Sequence, residues 1–493
     1  MQKHPFPGKL EKNLLETVAK QGSLEIINGL LDKAGAIRKR PGLYFNQSLS
    51  AVGGIQAIYY WPAKEKIVVV AGGQVYAANN LAATLVQVSN YTAMLNPGNV
   101  KIADTGHWLY FCSDTGPMVQ WNGTDEAVRV ADGAAPVNVS SIVVLNQRVI
   151  ANELGTNRFW YTDPPDLTNP TMALTWSGYL EVGRTSEDVV GLGVAGGELI
   201  VFKRESLQAF YDDGTTPYRP ITGSQQFYGL ISASALTKYT NALFFVGPDR
   251  QIRQLLNREV TNIGYECMSS ALDMLIDTSD VSTYVLDRWV IFNFLTDKKT
   301  FVYDPVLQSW TQFSTFSSGA ELSFLGRCTT MMPAAGETNI WVIGANTGSI
   351  YIWDWAAYSD AGNPIKFRVR TTHNDWETGV RKQSTRLLVK VSTKGVKESQ
   401  SPMKGFSLPA ARRCELYITT TTLEQGVTAD IAGLPTGFSY TQTGQSFTVS
   451  GSTATYAGDK NIVITMVDNA GRRYVENRIF TVLDKTGIEV GVL

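Results

Sequence analysis

Between Gly42 and Trp355 one phrase returns again and again, and it leaves few folds open. In its fullest copy, Val189 to Asp213, an apolar strand (Val189 to Val194) runs into a Gly196-Gly197 turn. A second strand (Leu199 to Phe202) follows, and a third (Leu207 to Tyr211) ends at Asp212-Asp213-Gly214. Three strands joined by tight turns make a meander. Further copies start at Gly53, Val100, Ser141, Ser234 and Ser282, with a shortened one at Thr338, seven in all. The first six start roughly 40–48 residues apart, the length of one four-stranded propeller blade. A lone meander leaves an apolar face in water, whereas a closed ring of meanders covers every face. The repeats therefore predict one all-β propeller of six or seven blades over residues 42–363, with Val290, Phe292 and Phe294 on a face packed between blades. The one helical pattern in this stretch is about three turns around Met268, Leu272 and Leu275, so a doubly wound α/β sheet is not expected.

The flanks differ from the repeats. In residues 1–41, Leu10, Leu14, Leu15 and Val18 fall on one helical face. A helix that short is marginal alone, so Leu10, Leu14 and Val18 are candidate contacts with the chain's own domain or with a neighbouring copy. Arg38-Lys39-Arg40-Pro41-Gly42 then leads into the first strand, and a basic run there reads as a solvated turn. Residues 364–413 are strand-like and basic. From 365 to 413 there are twelve Lys and Arg against three acids, in a chain whose formal net charge is −1. Lys366, Arg368 and Arg370 alternate, so a strand projects them to one side, with Phe367 and Val369 toward a core. With Arg381, Lys382 and Arg386 they are candidates for lining a DNA channel, for meeting an acidic surface on a neighbouring ring, or for a solvated sheet face. At the whole-chain charge, a general attraction to nucleic acid or anionic membrane is not expected. Residues 414–493 read as a small β-sandwich. Gly433-Leu434-Pro435-Thr436-Gly437-Phe438, with Asp468-Asn469-Ala470-Gly471 after it, resembles the small Ig-like repeats of bacterial and phage surface proteins.

Motifs that carry chemistry are sparse. Gly191-Leu192-Gly193-Val194-Ala195-Gly196 fits G-x-G-x-x-G, but a dinucleotide site needs a helix to open at the last glycine, and Glu198 to Phe202 is a strand pattern. The chain has three histidines, His4, His107 and His373, too few for His-based catalysis or metal binding, and Asp212-Asp213 before Gly214 reads as a turn. No enzyme activity and no cofactor is expected. The four cysteines form no C-x-x-C pair, which points to folding in a reducing compartment. The first residues are too polar for a signal peptide, and no apolar run approaches the roughly 18 residues that span a bilayer.

Arg40-Pro41-Gly42 leading into the repeats, the run Val201 to Tyr211 (VFKRESLQAFY), and Phe301-Val302-Tyr303-Asp304 with Trp310 after it together resemble the tail hub, or nozzle, proteins of short-tailed bacteriophages, also called packaged-DNA stabilisation proteins. The resemblance covers roughly residues 23–396. It implies a structural protein of the virion tail, made and assembled in the host cytoplasm. Such a protein forms a homo-oligomeric ring, usually a hexamer, below the portal and adaptor complex. Propellers lie outside and a basic β-platform nearer the axis, in non-specific contact with double-stranded DNA, and the ring opens at genome ejection. The resemblance brings no active site with it, and the Ig-like end departs from its simplest members. The alternative reading is a carbohydrate- or receptor-binding propeller module.

Overall fold

The computed structural model describes residues 23–371, apart from short breaks, and the strands between residues 414 and 482. Residues 23–371 fold as the β-propeller that the repeats predict. Six blades are each four consecutive antiparallel strands, spanning residues 55–87, 100–129, 142–181, 189–220, 236–262 and 281–317. Each begins with its innermost strand, and successive innermost strands lie side by side around the axis. A seventh sheet closes the ring. Its first three strands are Gly326–Pro333, Asn339–Ala345 and Ser349–Asp354, and its fourth comes from far earlier in the chain, β4 (Gly42–Ser48), antiparallel to Ser349–Asp354.

The seams between blades explain the alternating aromatic pattern. Trp289–Phe294 is buried at every position. Val290, Phe292 and Phe294 pack toward blade 5, while Trp289 and Ile291 pack toward the closing blade, so both faces of the strand lie in apolar cores. Between blades 4 and 5, Phe202 meets Phe245 with ring centroids 5.0 Å apart. Between blades 1 and 2, Trp61 meets Trp121 at 5.7 Å. The glycines of the G-x-G-x-x-G run serve this packing. A Cβ on Gly191 would lie 2.4 Å from Leu230, and one on Gly193 would lie 2.6 Å from Leu243. Gly196 and Gly197 take φ of +59° and +80° in a strand-to-strand turn, so no helix opens there.

The expected helix is α1 (Tyr265–Asp273), with Met268, Leu272 and Leu275 buried. Residues 381–493 form a separate unit. It contains two three-stranded antiparallel sheets, Cys414–Thr419 with Ser446–Gly451 and Phe438–Thr443, and Thr428–Ala432 with Gly458–Val467 and Arg473–Val482. These are the strands of the Ig-like β-sandwich.

Candidate interface at the clasp of the propeller

Before entering the closing blade, the chain lays down β1 (Ser23–Ile27), β2 (Gly29–Leu31) and β3 (Ile37–Lys39). β1 runs parallel to the outer strand of blade 6, Ser309–Ser317, and β2 pairs with β3. After the last blade the chain returns to the same edge. Asp360 bridges Leu43 in β4, and the strand Arg368–Thr371 pairs antiparallel with β1, Ile27 opposite Arg368 and Ser23 opposite Thr371. The two ends of the propeller thus clasp each other on blade 6.

Arg40 is the centre of this clasp. The expected solvated turn holds for Arg38, which is exposed and stacks on Trp355 with its guanidinium 3.7 Å from the ring. It fails for Arg40, whose side chain is wholly buried together with that of Asp360. The five guanidinium N–H groups each find an acceptor. Nη1 donates to Asp360 Oδ1 (2.9 Å) and the Pro41 carbonyl (3.0 Å), Nη2 to Asp360 Oδ2 (2.5 Å) and the Ser314 carbonyl (2.9 Å), and Nε to Asn28 Oδ1 (2.8 Å). Asn28 in turn donates to Ser314 Oγ (3.0 Å) and the Lys366 carbonyl (2.6 Å). The rings of Phe324 and Phe313 cover the guanidinium at 4.9 and 5.5 Å. A charge taken out of water survives only when paired and hydrogen-bonded in this way. Burial, then the adjacent Arg40 charge, lowers the pKa of Lys39, against the pull of Asp360. Gly42 is required because a Cβ there would sit 2.3 Å from the Ser359 carbonyl oxygen.

Two of the candidate basic residues converge beside the clasp. Arg368 pairs with Glu321 at 3.2 Å and Lys366 lies 4.0 Å from the same carboxylate, with its ammonium 5.6 Å from the Phe316 ring. Arg370 lies in the same strand, opposite Glu25. Phe367 is not in a core: it precedes the strand and is 44% exposed, its ring against Gly29. Arg381, Lys382 and Arg386 lie outside the described residues, as do Leu10, Leu14 and Val18. Asn28, Ser314, Glu321 and Asp360 escaped the reading of the sequence. Each acts on a partner tens to hundreds of residues away, and only Asp360, before an Ala361-Gly362 turn, stands beside a local signal.

Along the axis, the Lys101 ammonium on the inner strand of blade 2 donates to the Leu236 carbonyl in blade 5 (2.9 Å). Arg327 of the closing blade donates to Asn99 Oδ1, next to blade 2 (2.7 Å). These bonds join blades that are not neighbours, so side chains cross the propeller's own channel. Burial pushes the Cys328 thiol up to about 12, which keeps it protonated and unreactive. Among the described residues no group of three or more His, Cys, Asp or Glu is placed to hold a metal ion, and no helix is long and apolar enough to cross a membrane.

No protein-family model matches the chain, and no curated protein matches it. Among solved structures it is similar to a chain of the mitotic checkpoint complex (13% identity, TM-score 0.42, covering 66% of this chain and 94% of that one). It is also similar to a chain from the S. cerevisiae complex of Dbp5 with Nup159 and Gle1 (9% identity, TM-score 0.39, covering 64% and 94%). At these scores neither likeness carries an argument about function.

Proposed function

We propose that the protein is a structural ring component of a short-tailed phage virion, a tail hub that closes the DNA channel below the portal and adaptor and opens at ejection. The observation that supports this reading best is the clasp. β1 and the strand Arg368–Thr371 pair on one edge of blade 6. Ser23, which follows the amphipathic stretch in sequence, thus stands opposite Thr371, within the basic one. Ring subunits contact each other through two different patches repeated around an axis, and such a pairing of ends supplies apolar and basic material to one edge. The residues that carry the resemblance also sit where the propeller is stiffened. Arg40 lies in the clasp, Phe202, Lys203, Ser206 and Leu207 are buried, and Tyr303 packs on Trp310 at 4.9 Å. Because Lys101 and Arg327 cross the propeller axis, DNA in this reading runs between copies and not through a propeller.

Reversing Arg381, Lys382 and Arg386 to Glu leaves the clasp intact and tests the basic stretch. Particles that assemble but lose DNA mark a channel lining, and rings that fail to dock mark an interface. Normal assembly with normal genome retention removes both roles. One feature favours the alternative, a carbohydrate- or receptor-binding module. On blade 3 the exposed Tyr179 packs tilted against Trp160 with ring centroids 4.9 Å apart, and Arg158 lies 4.5 Å from the Tyr179 ring. A chain that stays small in light scattering and binds glycans through Tyr179 would favour that reading.

A further inference from the structure

The strand Arg368–Thr371 is the last of its sheet, and β1 lies between it and blade 6. What this arm meets comes from residues 23–29 and from the hairpin strand that follows blade 6. Ile26 stands opposite Val369 in the ladder, and Asn28 donates to the Lys366 carbonyl (2.6 Å). The Phe367 ring lies so close to Gly29 that a Cβ there would come within 3.1 Å of it, and Glu321 pairs with Arg368 (3.2 Å). None of these groups belongs to the closing blade, from which the arm arrives.

The joint between the closing blade and the arm is one tight turn. Ser359 faces Pro364 and Asp360 faces Asn363, and the two residues between them, Ala361 and Gly362, take φ of +49° and +91°. Glycine adopts this conformation freely, whereas the Cβ of alanine disfavours it. The Ala361 N–H is held by the Leu43 carbonyl (2.8 Å) and the Gly362 N–H by Ser359 Oγ (3.3 Å). Asp360, just before the turn, is fixed by Arg40. An arm that folds back through a short, strained hinge onto an edge of its own chain fits the same edge of another copy, and opening the hinge relieves the strain. Extended, residues 361–367 reach about 20 Å. We infer that residues 365–371 are an exchangeable arm: in the assembled protein the arm of one copy lies on β1 of the next, in the register that Arg368–Thr371 takes on its own β1.

This rests on the ring reading above and names one of its contacts. Handing the arm onward from copy to copy is a heterologous contact of the kind that closes rings. The ladder, the Asn28 bond and the Glu321 pair are the same whether the arm is kept or exchanged. The balance is therefore set by the hinge and by the local concentration of neighbouring copies.

The test uses two variants of the full-length chain, Glu25→Cys and Arg370→Cys, at positions that face each other in the ladder. They are co-expressed, oxidised and run on a non-reducing gel, with light scattering of the same samples. A chain carrying one of the two cysteines can bridge this ladder only to another chain, so the mixture is expected to give linked chains well in excess of either variant alone. The double variant in one chain, which can be bridged in either arrangement, reports that the ladder admits a disulfide. Ala361→Gly relaxes the turn and should lower the linked fraction about threefold or more, and Ala361→Pro, which forbids a positive φ, should raise it. Assemblies whose mixture gives no excess link overturn the exchange and leave the ring standing. Links confined to pairs of chains leave the exchange standing and overturn the ring. Monomers without the link overturn both, and a linked fraction that ignores both hinge substitutions overturns exchange through this turn.

Discussion

The seam between blades 4 and 5 and the clasp on blade 6 are both buried, but they are built from opposite materials. In the seam, Phe202, Phe245, Leu230 and Leu243 pack against one another and against glycine backbone, all from adjacent repeats. Such packing is non-directional, and losses there scale with the volume removed or added. In the clasp, Arg40 and Asp360 lie 320 residues apart and Asn28 and Ser314 lie 286 apart, and every guanidinium donor is matched. Removing one member leaves its partners buried and unpaired, so the clasp responds almost as a unit. The seam gives the propeller its bulk stability. The clasp decides whether its two ends are locked.

Four experiments break or sharpen this contrast. Arg40→Met strands the Asp360 carboxylate and is expected to cost about 3–5 kcal/mol in denaturant unfolding. Adding Asp360→Leu should recover a large part of that, because no lone charge remains; a double variant as unstable as the single one would contradict the paired role. Gly193→Val, which forces a side chain against Leu243, should cost about 1–3 kcal/mol. A loss of unfolding free energy below about 0.5 kcal/mol would mean that the seam is loose.

The third experiment uses pH. Burial pushes the Tyr110 phenol up to about 12, opposed by its bond from the Leu174 N–H. The native state therefore favours the neutral phenol, whereas the unfolded one ionises near about 10. Its contribution is full below about pH 10 and falls away toward about pH 12, on the order of 2 kcal/mol. Tyr110→Phe should lessen the fall of stability over that window, to which the Tyr59 and Tyr218 phenols, also raised by burial, contribute as well; an equal fall in the variant would show that Tyr110 contributes none of it. The smallest effect is expected at the surface. Glu321→Gln removes the negative charge that Arg368 and Lys366 share and should cost about 0–1 kcal/mol at low salt, vanishing at high salt.

The contrast also sets what could be read from the sequence. The propeller was legible because each seam is local. Val290, Phe292 and Phe294 alternate within one strand, and the turn at Gly196-Gly197 recurs at the equivalent Gly72-Gly73. The clasp was half legible. Arg40-Pro41-Gly42 stood out as a motif, yet as a basic run it suggested solvent, since nothing nearby announces that Asp360 neutralises it. Strand alternation placed Phe367 inward, but the strand begins one residue later, at Arg368, so the alternation does not apply to it. The closing of the last blade by β4 was likewise invisible to a period count, because the shortened copy at Thr338 borrows its fourth strand from residues 42–48.

Electron cryo-microscopy of the purified full-length chain tests the central claim most directly. The account predicts a closed ring of copies in which blade 6, carrying both ends of the propeller, is turned toward a neighbouring copy or the axis. Isolated single propellers at every concentration, with the blade 6 edge facing solvent, would contradict it.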